Sequence, residues 1–229
     1  MFTLACYGQN KNDINLNINW DNDMYFFKDR YYTNGLEVLI QVDKSKQYKK
    51  NYFVKDESLD PEHHITSVGL SHKIYTPRAY RSNDILTHDR PFAGALYGTF
   101  GGRKTHTPKE SIYTEVQIGF LGPYAGAKPI QTEWHEITNS DIPGGWHHQI
   151  RTSLILNYNF QYDRSLFKQK KAAIIGTGRV EIGTYQVNIQ GGINLLLGHF
   201  NHPFYGVQVS NKNKKSWTTN IDVNMRIKA

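Results

Sequence analysis

The residues of this sequence whose types and spacing most suggest chemistry are a glutamine and a histidine at helical spacing. Gln131 and His135 are four positions apart, so on a helix they would lie on one face. Pro129 suits a first helical turn and Pro143-Gly144-Gly145 would end the helix, which predicts a short helix of about ten residues. An adjacent apolar stripe would anchor this helix against the wall of the surrounding fold. The stripe consists of Ile130, Trp134 and Ile137.

Other catalytic patterns are missing from the sequence. It has no Gly-x-Ser-x-Gly, no phosphate-binding glycine loop and no His-Glu-x-x-His, and the adjacent pairs His63-His64 and His147-His148 would make poor chelates. A hydrolytic site would therefore use water, with His135 as general base and a cation or amide donors holding the oxyanion. Asp23 and nearby carbonyls could hold a hard cation such as calcium. The alternative for His135 is a solvent-exposed position in a loop. Packing of its helix against the polar interior of a β-barrel would disfavour that alternative.

Composition limits the setting of this chemistry. The 229-residue chain has one cysteine, Cys6, which excludes a disulfide framework and cysteine-rich metal sites. A formal charge of +7 favours an anionic partner, for which phosphorylated lipid and nucleic acid both qualify. Mean hydropathy is −0.60, and no apolar run approaches the roughly 18 residues of a spanning helix, so a helical membrane protein is excluded.

Strict alternation of apolar and polar residues predicts the elements that position these side chains. Between residues 14 and 21 every second residue is apolar, and the intervening ones are Asn15, Asn17, Asn19 and Asp21. Because asparagine is a poor strand former, a row of Asn on one face indicates a wet interior. Similar alternation recurs near 36–42, 65–75, 92–104, 112–120, 150–161, 172–182, 185–198 and 217–227.

Soluble sandwiches also alternate, but long strands with aromatic residues near their ends favour a membrane barrel. We therefore predict an all-β, transmembrane antiparallel β-barrel with a short helix in an outer loop. About nine strands are visible, whereas a closed bacterial barrel has an even number. The expected organisation is a partial signal-peptide remnant at residues 1–9, or alternatively a frayed end of a soluble protein, and a single barrel domain at 10–229 that is truncated at its C-terminus.

Barrel topology would bring three unusual stretches to one rim. If the first strand starts in the periplasm, every odd-numbered strand ends at the outer face. The loop after strand one carries Asn22-Asp23, the loop after strand three carries several basic residues, and the loop after strand five carries the Gln131/His135 segment. The sequence therefore predicts a composite site at the outer rim.

These residues resemble the lipid A 3'-O-deacylase family, outer-membrane esterases that remove the 3'-linked acyloxyacyl chain from lipopolysaccharide. The resemblance covers roughly Ile14 to Gly198. Its matching residues are Asn22-Asp23, Tyr32-Thr33-Asn34-Gly35, Asp89-Arg90-Pro91-Phe92-Ala93-Gly94, Gly122-Pro123, Ala125-Gly126, Gln131, His135, Trp146 and Gln149.

The resemblance implies a twelve-stranded barrel whose site lies between the wall and a helix of an outer loop. It also implies a mechanism like that of phospholipase A2. His135 would deprotonate water, and Asn22 with Asp23 would serve a calcium ion that stabilises the oxyanion. Gln131 would orient the site from the same helix face, and Thr33 would give polar support.

The remaining site residues follow from the same resemblance, with two departures. Asp141 would stand where the family carries an acidic residue, and it is predicted with Asp23 as a metal ligand. The adjacent basic pair of the family is replaced by Arg78 and Arg81, which with Arg90 are the predicted substrate-binding residues. The family barrel also has about three more strands, which we attribute to an incomplete sequence.

The predicted function is that of a calcium-dependent ester hydrolase in the bacterial outer membrane. Its partner would be lipid A in the outer leaflet, and no nucleic acid is expected to bind. Two alternatives stay open: a non-catalytic pore or adhesin whose helix plugs the lumen, and a soluble lipocalin-like lipid binder.

Overall fold

Nine β-strands form one antiparallel sheet, in which each strand pairs with its neighbours in the chain. The computed structural model describes residues 14–22, 32–44, 63–107, 109–199, 204 and 217–228. The strands are β1 (Ile14–Asn22), β2 (Asn34–Asp43), β3 (His63–Tyr75), β4 (Ala93–Thr107), β5 (Glu110–Leu121), β6 (Ser153–Lys168), β7 (Ala172–Gly183), β8 (Asn188–His199) and β9 (Trp217–Lys228). The nine strands predicted from alternation are confirmed.

Alternation sorts the side chains onto two faces of opposite character. The inner face buries polar residues, among them Asn17, Ser71, Thr99, Glu115, Asn157, Asn159 and Asp163. The outer face exposes large apolar residues, among them Leu16, Leu36, Leu70, Phe100, Ile118, Leu156 and Phe160. A protein folded in water usually buries its apolar residues, whereas a barrel in lipid has an apolar outer face and a polar interior.

Hydrogen bonds and ion pairs connect many of the polar residues of the inner face. The Glu115 carboxylate accepts hydrogen bonds from Asn159 Nδ2 and Gln117 Nε2, both at 2.8 Å. Arg103 forms an ion pair with Asp163. Because a buried charge is costly unless it is paired or hydrogen-bonded, these contacts stabilise the polar interior.

The sheet is curled, as contacts between distant strands show. The hydroxyl of Tyr75, in β3, is hydrogen-bonded to the hydroxyl of Tyr185, which follows β7. The rings of Tyr97, in β4, and Tyr185 lie 5.9 Å apart. A flat sheet would hold β3 and β7 roughly 19 Å apart, because neighbouring strands are about 4.8 Å apart. Within the described residues, β1 and β9 are the two edges of this sheet.

Adjacent residues of β5 allow a direct test of which face meets lipid. Ile118 is exposed on the outer face, whereas Gln117 lies on the inner face beside Glu115. Ile118→Lys should lower the free energy of unfolding in lipid by about 2–4 kcal/mol if the residue lies near the bilayer midplane, because an ammonium group would enter hydrocarbon. Gln117→Lys is the matched control and should cost less, since Glu115 can accept from the new ammonium. Urea unfolding in vesicles measures both, and equal losses would contradict the assignment of faces.

The segment between β5 and β6 contains one α-helix, α1 (Ala127–Ile137), preceded by a single 3-10 turn at Pro123–Ala125 and followed by another at Gly145–His148. In the described part of the chain no helix is long and apolar enough to cross a membrane. The short helix predicted from Gln131 and His135 is therefore confirmed.

Two predicted boundaries differ from the structure. The helix does not run to Pro143: it ends at Ile137, and Asn139 then adopts a left-handed conformation with φ of 52°. The sixth strand begins at Ser153 rather than Ile150, because the Ile150 amide donates to the Phe92 carbonyl at 2.9 Å instead of pairing with β5. The change in the strand comes from a main-chain contact that alternation does not reveal, and the earlier helix end coincides with the left-handed turn at Asn139.

Helix α1 packs on the outer face of the sheet, so the expectation that it meets a polar lumen is wrong. Ile74 and Ala127 pack in one buried cluster, and His72 Nε2 lies 2.9 Å from the Ala125 carbonyl. A Cβ built on Gly94 would lie 2.5 Å from the Ala127 Cβ. His72, Ile74 and Gly94 share the register of the exposed apolar residues of β3 and β4. The helix therefore lies on the lipid-facing wall and does not plug the lumen.

Candidate active site

A pocket of about 210 Å³ lies between α1 and the outer ends of β2 and β3. It is lined by Thr33, Asn34, Ile74, Ile130, Gln131, Glu133, Trp134 and Ile137. The first three belong to the wall and the other five to the helix. The helix and the strand ends that were predicted to meet at one rim are thus brought together by the structure.

His135 lies on the buried face of α1. It is 7% exposed, and its Nδ1 lies 2.6 Å from the main-chain carbonyl oxygen of Asp141. A carbonyl only accepts hydrogen bonds, so in the neutral imidazole Nδ1 carries the proton and Nε2 carries the lone pair. The ring of Tyr80 lies 6.4 Å from the imidazole in an edge-on arrangement. Solvent exposure, the alternative for this residue, is contradicted by its burial.

Gln131 lies one turn earlier on the same buried helix face. It is 3% exposed, and its Oε1 accepts a hydrogen bond of 2.9 Å from the indole nitrogen of Trp146. Its Nε2 is buried without a hydrogen-bond partner. A buried donor without an acceptor costs about 1–3 kcal/mol, so this amide is suited to an acceptor from outside the protein.

The apolar stripe of α1 is placed differently from the prediction. Ile130, Trp134 and Ile137 are all exposed, and Ile137 is 80% exposed. All three line the pocket, and the ring of Trp134 lies edge-on to that of Trp20 in the wall, with the centroids 6.3 Å apart. The buried residues of the helix are instead Ala127, Gln131 and His135.

The end of β1 lies beside the pocket. Asn22 pairs in register with Asn34, which lines the pocket, and Asn34 Oδ1 accepts a hydrogen bond of 3.1 Å from Trp20 Nε1. Thr33 is buried with its Oγ1 2.5 Å from Thr76 Oγ1. Asp23 lies outside the described residues. Thr33 therefore lines the pocket beside the helix that carries Gln131 and His135, and the main chain of Asn22 lies opposite Asn34, another pocket residue.

The predicted basic residues separate into two groups. The main-chain amides of Arg78 and Arg90 both donate to the Asp89 carboxylate at 2.7 Å. Arg81 instead forms an exposed ion pair with the carboxylate of Asp141. The main-chain carbonyl of the same residue is the hydrogen-bond partner of His135. A hydrogen bond to the Tyr80 hydroxyl and the Asp141 charge raise the pKa of Arg81. The three side chains are exposed, as contact with an anionic headgroup requires.

The donors around the pocket suit a hard cation such as calcium. The Glu133 carboxylate, the Asn34 amide oxygen and the Thr33 hydroxyl are oxygen ligands of the kind calcium takes. Among the described residues no group of three or more His, Cys, Asp or Glu side chains is arranged around one point. Asp141 forms an ion pair with Arg81, and its role as a metal ligand stays a prediction.

Several residues that form the site carry no catalytic pattern in the sequence. Gly122 and Gly126 have positive φ values of 94° and 68°, which explains the glycines that flank the turn before α1. Gly94 gives the helix its close approach to the wall. Trp146, which follows Gly144-Gly145, is indicated in the sequence only because it is one of the residues that match the resembling family.

Comparisons with known proteins agree with this architecture. The profile of a family described as outer membrane protein LpxR matches residues 1–229. Among solved structures, LpxR from Salmonella typhimurium is similar, with a TM-score of 0.66 and 16% sequence identity over 88% of this chain and 68% of that chain. At this identity the likeness shows the fold. A comparison with curated protein sequences finds no match.

The family match and the shared fold confirm the resemblance, the fold class and the outer-membrane location predicted from the sequence. The soluble lipocalin-like alternative is wrong, because the apolar residues lie on the outer face of the sheet. The chain belongs to the LpxR family of bacterial outer-membrane proteins that modify lipid A.

Proposed function

We propose that this protein is an ester hydrolase that removes the 3'-linked acyloxyacyl chain from lipid A, with His135 as the base that activates water. One observation carries the proposal: the helix that packs on the outer face of the sheet carries a buried histidine whose Nδ1 is hydrogen-bonded to a main-chain carbonyl. A base held in this tautomer can take a proton at Nε2 without first reorienting.

The position of the pocket suits a substrate that stays in the membrane. Ile130, Trp134 and Ile137 line the pocket and are exposed, so acyl chains of the outer leaflet can pack against them. Among the polar residues of the pocket, Thr33 and Gln131 are buried and Asn34 is half-buried. An ester at the boundary between acyl chain and sugar would therefore meet polar groups while its chain stays in lipid.

The reaction follows from the two buried side chains of α1. His135 Nε2 takes the proton of a water molecule, whose oxygen attacks the ester carbonyl carbon to form a tetrahedral oxyanion. The buried Nε2 of Gln131 donates to this oxyanion. As the ester C–O bond breaks, the imidazolium returns its proton to the leaving 3'-oxygen of the sugar, so the products are a free carboxylic acid and a 3'-hydroxyl.

A calcium ion at the pocket would add positive charge that stabilises the oxyanion. Asp23 and Asp141, the predicted metal ligands, would hold it together with Asn22 and the oxygen donors of Asn34 and Glu133. The exposed arginines Arg78, Arg81 and Arg90 would contact the anionic groups of lipid A from above the helix.

The activity is tested with purified protein in detergent and lipid A as substrate. We expect mass spectrometry to detect lipid A that has lost the 3' acyloxyacyl group, together with the released acid. A product deacylated at another position would contradict the assigned regiochemistry. Ion conductance with intact lipid A would favour the non-catalytic barrel instead.

Chelation tests the calcium proposal separately. Removing calcium with EGTA should lower the rate of acyl release by about 10²-fold or more, because one oxyanion-stabilising group is lost. Added calcium should restore the rate in the same sample. Full activity in the chelator would rule out the calcium role and leave the His135 and Gln131 roles standing.

A further inference from the structure

The side-chain amide of Gln131 has its orientation set by one neighbour, the indole of Trp146. Trp146 Nε1 donates to Gln131 Oε1 at 2.9 Å. An indole nitrogen is a donor only, so the amide oxygen must face it and the amide nitrogen must face away. The flipped amide would place N–H against N–H, which the buried contact does not allow.

The indole itself is fixed in place by its surroundings. Trp146 is 1% exposed, packs with Ile74 and Ala127, and has its ring 4.8 Å from the ring of Phe92. The preceding Gly145 is in tight contact too, since a Cβ there would lie 2.7 Å from Phe92 Cε2. Main-chain bonds hold the same turn, from the Gly144 amide to the Tyr80 carbonyl at 2.9 Å and from the Gln149 amide to the Trp146 carbonyl at 3.2 Å.

The result is a buried amide whose donor has no acceptor inside the protein. Gln131 Nε2 has no hydrogen-bond partner, although its side chain lines the pocket beside α1. Buried donors are nearly always satisfied, and an acceptor that enters with a ligand would satisfy this one. A carbonyl or carbonyl-derived oxyanion is an acceptor of that kind.

We infer that Trp146 is a positioning residue that locks the Gln131 amide with its N–H toward the substrate carbonyl oxygen. This inference rests on the proposed function, because the acceptor is the ester carbonyl. Trp146 touches no substrate in this scheme and acts through Gln131 alone. It converts an amide that could present either oxygen or nitrogen into a fixed donor.

Trp146→Phe removes the indole N–H and keeps an aromatic ring against Phe92. We expect kcat to fall about 10-fold to 10²-fold with KM little changed, because full loss of an oxyanion donor costs about 10²- to 10³-fold. Trp217→Phe is the matched control and should leave both constants unchanged, since Trp217 starts β9 opposite His199, at the other end of the sheet from α1. Heat-modifiable gel mobility reports folding of each variant.

A double-variant cycle separates positioning from packing. If Trp146 acts through Gln131, Trp146→Phe should have no further effect on kcat in a Gln131→Leu background. Independent, multiplying losses would overturn the inference, as would a Trp146→Phe enzyme with wild-type kcat. Acyl release by the wild-type protein is measured alongside: its absence would overturn the proposed function and this inference together, whereas an active wild type with an unaffected Trp146→Phe variant would overturn this inference alone.

A second variant covers the case in which Trp146→Phe does not fold. Benzothienylalanine at position 146 keeps the shape of indole but carries sulfur in place of the N–H. It should reproduce the loss in kcat, and wild-type kcat in this variant would overturn the inference.

Discussion

Replacing His135 by glutamine should lower kcat for lipid A deacylation by about 10²- to 10⁴-fold, the contribution typical of a general base. Glutamine fills a similar volume and can still donate to the Asp141 carbonyl, which His135 Nδ1 contacts at 2.6 Å. It cannot take a proton from water at neutral pH. KM should change little, because the substitution removes a group that acts in the transition state.

The control for this variant is His88→Gln. His88 is an exposed histidine in the loop between β3 and β4, so its loss should leave kcat unchanged. Release of the 3' chain is followed by mass spectrometry in both proteins. Wild-type kcat in folded His135→Gln protein would remove the base from the mechanism.

Gly94→Ala should lower kcat by about 10²-fold while the barrel still folds. The new Cβ would lie 2.5 Å from the Ala127 Cβ and 3.1 Å from the Ala125 Cβ. Carbon atoms pack at about 3.5–4.0 Å, so α1 must move away from the wall by roughly 1 Å. A shift of that size at a catalytic group costs about 10²-fold.

Gly178→Ala provides the matched control, because a Cβ at this β7 glycine would meet nothing within 4 Å. Both variants should show the same heat-modifiable gel mobility as wild type. If Gly94→Ala and Gly178→Ala had equal activity, the close packing of α1 on the wall would not be needed for catalysis.

The strands and the direction of their side chains could be predicted from local sequence. Alternation over two residues placed Asn17, Asn157 and Asn159 on one face, and all three are buried there. The four-residue spacing likewise placed Gln131 and His135 on one face of a helix, and both are buried. These predictions succeed because the periods of strand and helix are local properties of the chain.

The placement of α1 could not be predicted in the same way. The spacing shows that Gln131 and His135 lie on one face of the helix. The face of the sheet on which the helix packs depends on Ile74 and Gly94, which belong to β3 and β4. The contacts that orient the site are also long-range or made by the main chain. They include the Asp141 carbonyl and the Trp146 indole, and no residue pattern marks them.

Spin labelling tests whether α1 and its histidine lie against the lipid-facing wall. Cys6→Ser leaves a chain without cysteine, into which single cysteines are introduced at Ile137, Ile118 and Gln117. In vesicles, a label at 137 should collide more with oxygen than with a water-soluble nickel complex, as the outer-face label at 118 does. If the label at 137 instead behaved like the inner-face label at 117, the helix would not face lipid and the proposed route of the acyl chain would fail.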